Sequence, residues 1–160
     1  LVGHYSTLMR NKLGLQTTND KDQQLVAELL QLMQSSAADF TNTFRQLGTV
    51  SHNDKHHSLR DNFIDRDSFD AWLVKYQQRL KEESLDETER QQAMAAVNPK
   101  YVLRNYLAQQ AIEKAETGDY EELERLAKIL SRPFDEQTEF EDYAKQPPDW
   151  GKRISVSCSS

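Results

Sequence analysis

Cysteine is nearly absent from this 160-residue chain: the only one, Cys158, lies two residues from the last position. A single thiol excludes an internal disulfide framework and a CxxC zinc site, and a reducing, cytoplasmic setting is the expectation for such usage. Glycine and proline are scarce as well, at five and four residues, too few for a sheet-rich fold with many tight turns. Apolar runs are short. None approaches the roughly 18–20 residues of a membrane span, and no basic-then-apolar start suggests a signal peptide. Neither a GxGxxG loop nor a GxxxxGK loop occurs, and no GxSxG elbow frames a nucleophile. The stretch is therefore expected to catalyse nothing alone.

Positive charge is in deficit too. The net charge is −6, with a pI near 5.2, which argues against a nucleic-acid surface because phosphate binding needs clustered Lys and Arg. From Ala111 to Asp149 there are 12 carboxylates against five basic residues, a block that reads as a solvated acidic face. Carboxylate pairs such as Asp20/Asp22 and Glu121/Glu122 sit at helix starts, where the helix dipole accounts for them.

What remains is a polar but foldable chain, 37% hydrophobic and 29% charged, with a mean hydropathy of −0.83. Six Phe, six Tyr and two Trp argue against disorder, and the length suits one domain of about 100–200 residues. The start, "LVGHYSTLMRNKLGL", has no initiator Met and opens in apolar material, which reads as a cut through a longer protein.

Helical periodicity dominates. Tyr5, Leu8, Met9 and Leu13 form one stripe, stopped by Gly14, and Thr18 or Asn19 is the expected cap of the next helix. Leu25, Leu29, Leu32 and Met33 form a second stripe, and Phe40, Phe44 and Leu47 a third, closed by Gly48. Residues 49–62 read as a polar loop. A helix carrying Phe69, Trp72, Leu73, Tyr76 and Leu80 starts near Asp65 or Asp67. Another follows Ser84, with Glu87 at the capping-box position. Asn98 as cap and Pro99 as first residue predict a long helix to Gly118, apolar on nearly all sides and hence buried, with Arg104 and Asn105 at least half buried within it. Asp119 opens the last clear helix, burying Tyr120, Leu123, Leu126, Ala127 and Leu130, and Pro133 ends it. "FDEQTEFEDYA" holds one or two further turns. The expected fold is all-α, a single irregular domain of about seven helices over residues 1–146, with an irregular tail over 147–160.

Few residues stand out chemically. His52, His56 and His57 cluster in the polar loop, but with no third strong ligand in sequence any metal site there is open and weak, so no metal is assigned. Arg104 and Asn105 allow two readings: contact with a neighbouring domain's phosphate or carboxylate, or local pairing inside the helical packing. Trp150 follows Pro147 and Pro148. It is either a stiffly presented docking anchor or a residue folded back on its own core.

"DFTNTFRQLG" at Asp39–Gly48, "NPKYVLRNYLAQQAIEKAETGDYEELERL" at Asn98–Leu126, "RPFDEQ" at Arg132–Gln137 and "PPDWGKRISVSCSS" at Pro147–Ser160 resemble the C-terminal part of the selenoprotein O family. "KLGL" at Lys12–Leu15 fits the same register, whereas Ser51–Ser58 and Asp67–Arg90 match no named motif. The resemblance implies a pseudokinase that binds ATP with Mg2+ or Mn2+ and transfers AMP to Ser, Thr or Tyr of protein substrates. The nucleotide, metal and catalytic residues then belong to an N-terminal kinase-like domain, the implied partner of this stretch, and no catalytic residue is carried over here. One position does carry over: Cys158 matches the third residue from the end, selenocysteine in eukaryotic members and cysteine in bacterial ones. The resemblance implies a redox bond from Cys158 to a cysteine of the catalytic domain; Lys152 and Arg153 nearby would favour its thiolate. The rival from another class is a free-standing helical interaction module that docks a partner through the acidic face and Trp150. A weaker rival is a metal-binding helical protein using the His loop.

Overall fold

The computed structural model describes residues 2–153. Each apolar stripe is helical in it, and among the described residues there is no strand. Seven α-helices follow in order: α1 (Val2–Lys12), α2 (Asp22–Ser36), α3 (Phe40–Leu47), α4 (Arg66–Leu80), α5 (Glu87–Val97), α6 (Asn105–Glu116) and α7 (Glu121–Leu130). Three 3₁₀ turns cover Ser58–Asn62, Thr138–Ala144 and Gly151–Arg153. The all-α expectation is met. The chain divides into two compact units, Leu1–Asn98 and Pro99–Ser160.

The first unit is organised around α4. Its period places Phe69, Trp72, Leu73, Tyr76 and Leu80 on one face, all buried. Phe63, Phe69, Trp72 and Tyr76 stack in succession, at centroid separations of 4.4, 6.1 and 5.1 Å. Two aromatic polar tips bond carbonyls of neighbouring segments. Trp72 Nε1 donates to the Leu25 carbonyl at 2.9 Å, and the Tyr76 hydroxyl to the Leu13 carbonyl at 2.8 Å. Burial pushes the Tyr76 phenol well above its ordinary value, so it stays a neutral donor. Gly14 turns the chain after α1 at φ +75, and a Cβ there would lie 2.8–2.9 Å from Met94 and Arg90 side-chain atoms of α5. Glycine is thus required twice over, by the dihedral and by the space.

Caps account for the remaining boundaries. Asp39 and Asp65 accept from Asn42 N–H and Ser68 N–H, each three residues on. Asp86, not Ser84, caps α5, accepting from Glu89 N–H at 2.7 Å. α2 starts at Asp22, later than a Thr18 or Asn19 cap implies, because Asn19 Oδ1 first closes a tight turn onto Lys21 N–H. Its far end needs no glycine: Ala37 takes the left-handed conformation at φ 49, and Ala38 N–H returns to the Met33 carbonyl.

The largest departure from the sequence pattern is Asn98. It caps no helix start. Its buried amide donates to the Lys12 carbonyl at 2.9 Å, and its Oδ1 accepts from Lys12 Nζ, so it closes the end of α1. Arg45 Nη1 donates to the Ala95 and Asn98 carbonyls, closing α5 in the same manner.

In the second unit the chain runs without helix to Arg104, held by Lys100 N–H and Tyr101 N–H on the Pro133 carbonyl. Tyr101 is buried, and its hydroxyl donates to the Gln137 carbonyl at 2.9 Å. Gln137 in turn donates to the Ile129 and Arg132 carbonyls at the end of α7. These long-range bonds outcompete the local Asn-Pro helix signal. α6, starting later, is amphipathic rather than apolar all round, burying Tyr106, Leu107 and Ala111 against α7. α7 buries Glu122, Leu126 and Ile129, while Tyr120, Leu123 and Ala127 face out, contrary to the expected stripe. Glu122 is tolerated inside because Arg125 and the Tyr143 hydroxyl both donate to it.

Candidate functional site

Three of the four residues singled out from the sequence lie in described parts of the second unit. Arg104 holds the position before α6 in an extended conformation and is 9% exposed. Asn105, the first residue of α6, is exposed, not half buried. The reason is the late helix start, which sets the phase so that Tyr106, Leu107 and Ala111 turn inward and Asn105 outward.

The tail is built on Tyr106. Pro148 carbonyl accepts from Gly151 N–H at 2.8 Å and Lys152 N–H at 3.1 Å, folding the chain into a short turn. That turn presses Gly151 onto Tyr106 so closely that a Cβ would sit 3.0 Å from two ring-side carbons. Trp150 meets the Tyr106 ring edge-on, at 5.6 Å and 87°, yet remains 55% exposed. Burial raises the Tyr106 phenol above its ordinary value. Trp150 therefore rests on its own unit with about half its surface outward. Cys158, and with it any effect of Lys152 and Arg153 on its thiol, lies outside the described residues.

The densest charge cluster escaped the sequence reading. Arg79, near the end of α4, is buried and bonds Asp22 at 2.7 Å, Glu83 at 2.8 Å and the Thr17 carbonyl at 2.8 Å. Glu83 also accepts from Gln16 N–H at 2.8 Å and from the Thr17 hydroxyl at 2.6 Å, while Asp22 accepts from Asn19 N–H. The cluster clasps the α1–α2 link onto α4. Burial alone would raise the Glu83 carboxyl, but the bonds from Thr17, Gln16 and Arg79 outweigh it and leave it below the usual carboxylate range. Only the Arg79/Glu83 spacing of four was visible locally; Asp22 lies 57 residues from Arg79. Asp22 is thus an ion-pair partner as well as a helix-start carboxylate.

A second buried cation, Arg90, reaches the Val50 carbonyl and Met94 Sδ, with Glu87 at 3.9 Å. The histidines of the polar loop have separate partners. His57 Nδ1 accepts from Leu59 N–H, His52 N–H donates to Glu87 at 2.8 Å, and His56 lies 4.0 Å from Asp70. Among the described residues no three metal-ligating side chains converge.

Comparison with known proteins supplies the context for these groups. A family model described as protein adenylyltransferase SelO matches residues 1–131. This chain belongs to the SelO family. Among curated relatives, a protein nucleotidyltransferase YdiU of Pseudomonas aeruginosa is 53% identical over 157 residues, covering 98% of this chain and 32% of the relative. Proteins of the same description in Pectobacterium atrosepticum and Yersinia pseudotuberculosis are 52% and 50% identical over 160 residues, covering all of this chain and 33% of each relative. The chain therefore spans about a third of the length of the curated relatives it matches. Among its described residues no helix is long and apolar enough to cross a membrane.

Proposed function

We propose that this chain is the helical C-terminal region of a cytoplasmic SelO-type protein adenylyltransferase, which transfers AMP from ATP, with Mg2+ or Mn2+, to Ser, Thr or Tyr of protein substrates. The catalytic machinery belongs to a kinase-like pseudokinase portion outside this chain, which is its partner. The chain's own role is structural and regulatory. The carrying observation is the 53% identity across 98% of the chain to a protein nucleotidyltransferase of which it covers only 32%. The internal chemistry supports that role. Arg79, Asp22 and Glu83 are committed to one another and to backbone, and Glu122 to Arg125 and Tyr143. Groups so paired hold shape rather than turn over substrate.

Cys158 is the redox-active residue of the tail, forming a disulfide with a cysteine of the kinase-like portion when an external oxidant takes up the two electrons and two protons of the thiols. The turn at Pro148–Lys152 supports this by anchoring the tail on Tyr106 and starting its last residues from a defined point. The test is AMP transfer from labelled ATP to protein, with the longer protein and with this chain alone. Transfer by the longer protein only is expected. Transfer by this chain alone would overturn its structural assignment, and none by the longer protein would overturn the activity.

A further inference from the structure

Lys12, the last residue of α1, is placed unlike the other lysines of the first unit. Its ammonium sits 5.4 Å from the Phe40 ring centroid and 5.5 Å from that of Phe44, and it donates one bond, to Asn98 Oδ1 at 3.3 Å. Among the described residues no carboxylate lies within ion-pair distance of it, although the whole chain carries 26 Asp and Glu. An ammonium has three donors. Burial pulls its pKa below the ordinary lysine value, since no anion offsets the lost hydration.

The surroundings are apolar and open. Leu8, one turn before Lys12 on the same face of α1, is 46% exposed, and Phe40 is 47% exposed. Val97, next to the Asn98 that holds Lys12, is exposed as well. Two rings of α3 thus stand against the cation, with exposed Leu8 one turn back on α1 and exposed Val97 beside its Asn98 partner, in a chain otherwise rich in carboxylates. A patch of this make-up is complementary to a segment that brings a carboxylate flanked by apolar side chains.

We infer that the Leu8–Lys12–Phe40–Val97 patch is the seat of such a segment from the part of the protein outside this chain, its carboxylate pairing with Lys12. The occupant follows from length: the relatives carry about two-thirds of their residues beyond the matched region. On the proposed C-terminal placement that portion precedes α1 in sequence. From Val2 to Leu8 the helix α1 rises only about 9 Å, which places the patch close to the start of the described chain. This inference rests on that placement.

The test is thiol labelling in a Cys158→Ser background. With Leu8→Cys, alkylation at position 8 is followed by peptide mass spectrometry in this chain and in the longer protein. Labelling at least about tenfold slower in the longer protein is expected, since a seated segment must open before reagent enters. Adding Lys12→Gln to the longer protein is expected to restore the rate by at least about threefold, because the pairing that holds the segment is gone. Equal rates in the two proteins overturn the inference, as does slow labelling that Lys12→Gln leaves unchanged. Labelling of this chain that slows with its own concentration assigns the patch to a second copy and also overturns it. AMP transfer, measured separately, reports on the proposed function without touching these rates.

Discussion

Replacing Gly14 with alanine tests how the turn after α1 is built. Two costs are separable there. At φ +75 an L-residue pays about 1–2 kcal/mol for the left-handed backbone. The added Cβ then meets Met94 Sδ at 2.8 Å, Arg90 Cγ at 2.9 Å and Met94 Cγ at 2.9 Å, in a site where Met94 and Arg90 are buried and cannot simply swing away. Overpacking of that kind costs about 1–3 kcal/mol. Together about 2–5 kcal/mol is expected, or a melting temperature lower by about 5–15 °C. Gly118 supplies the comparison: it has φ +90 but nothing within 4 Å of its Cβ, so Gly118→Ala should show the backbone cost alone. The assay is urea unfolding followed by far-UV circular dichroism. A double-mutant cycle with Met94→Ala should recover part of the loss, with a coupling of about 1–3 kcal/mol between the two sites. A Gly14→Ala loss no larger than that of Gly118→Ala, or a cycle without coupling, would refute the packing argument.

Arg79→Met leaves Asp22 and Glu83 buried without their cation, and urea unfolding should show a loss of about 3–5 kcal/mol. Because the folded-state pKa of Glu83 is depressed, its contribution is complete above the unfolded carboxylate value near 4.5 and disappears as pH falls through the lower folded value. Glu83→Gln should therefore be less stable than the parent at neutral pH and lose less on acidification below pH about 4.5, as acid titration of unfolding will show. Ala37→Gly should stabilise the chain by about 1 kcal/mol by relieving the left-handed residue after α2, provided thermal melts are compared at one pH. In the longer protein, non-reducing mass spectrometry under oxidising conditions should find Cys158 in a cross-linked peptide. A thiol that always stays free would sink its redox role.

Helix existence was legible throughout, because each stripe repeats at 3.6 residues and burial rewards that period regardless of what lies opposite. Boundaries were legible where the cap is a side chain three residues from its donor, as at Asp65. They were misread where a distant partner competes. Asn98-Pro99 carries every local mark of a helix start, yet Asn98 is taken by Lys12, 86 residues away, and the next residues by the Pro133 carbonyl. The outward face of α7 was misread for a related reason. Tyr120, Leu123 and Ala127 form as good a stripe as Leu126 and Ile129, and nothing local says which one meets α6.

The sequence by itself determined the all-α class, the position of nearly every helix, and the motifs that tie the chain to its family, since periodicity and short motifs are properties of neighbours along the chain. Tertiary structure alone decided the partners of the buried charges. Asp22 reads only as a helix-start carboxylate and Lys12 only as part of a short motif, until folding brings Arg79 to the one and two phenylalanine rings to the other. The physical reason is that the cost of burying a charge depends on what surrounds it in space, which spacing along the chain does not record.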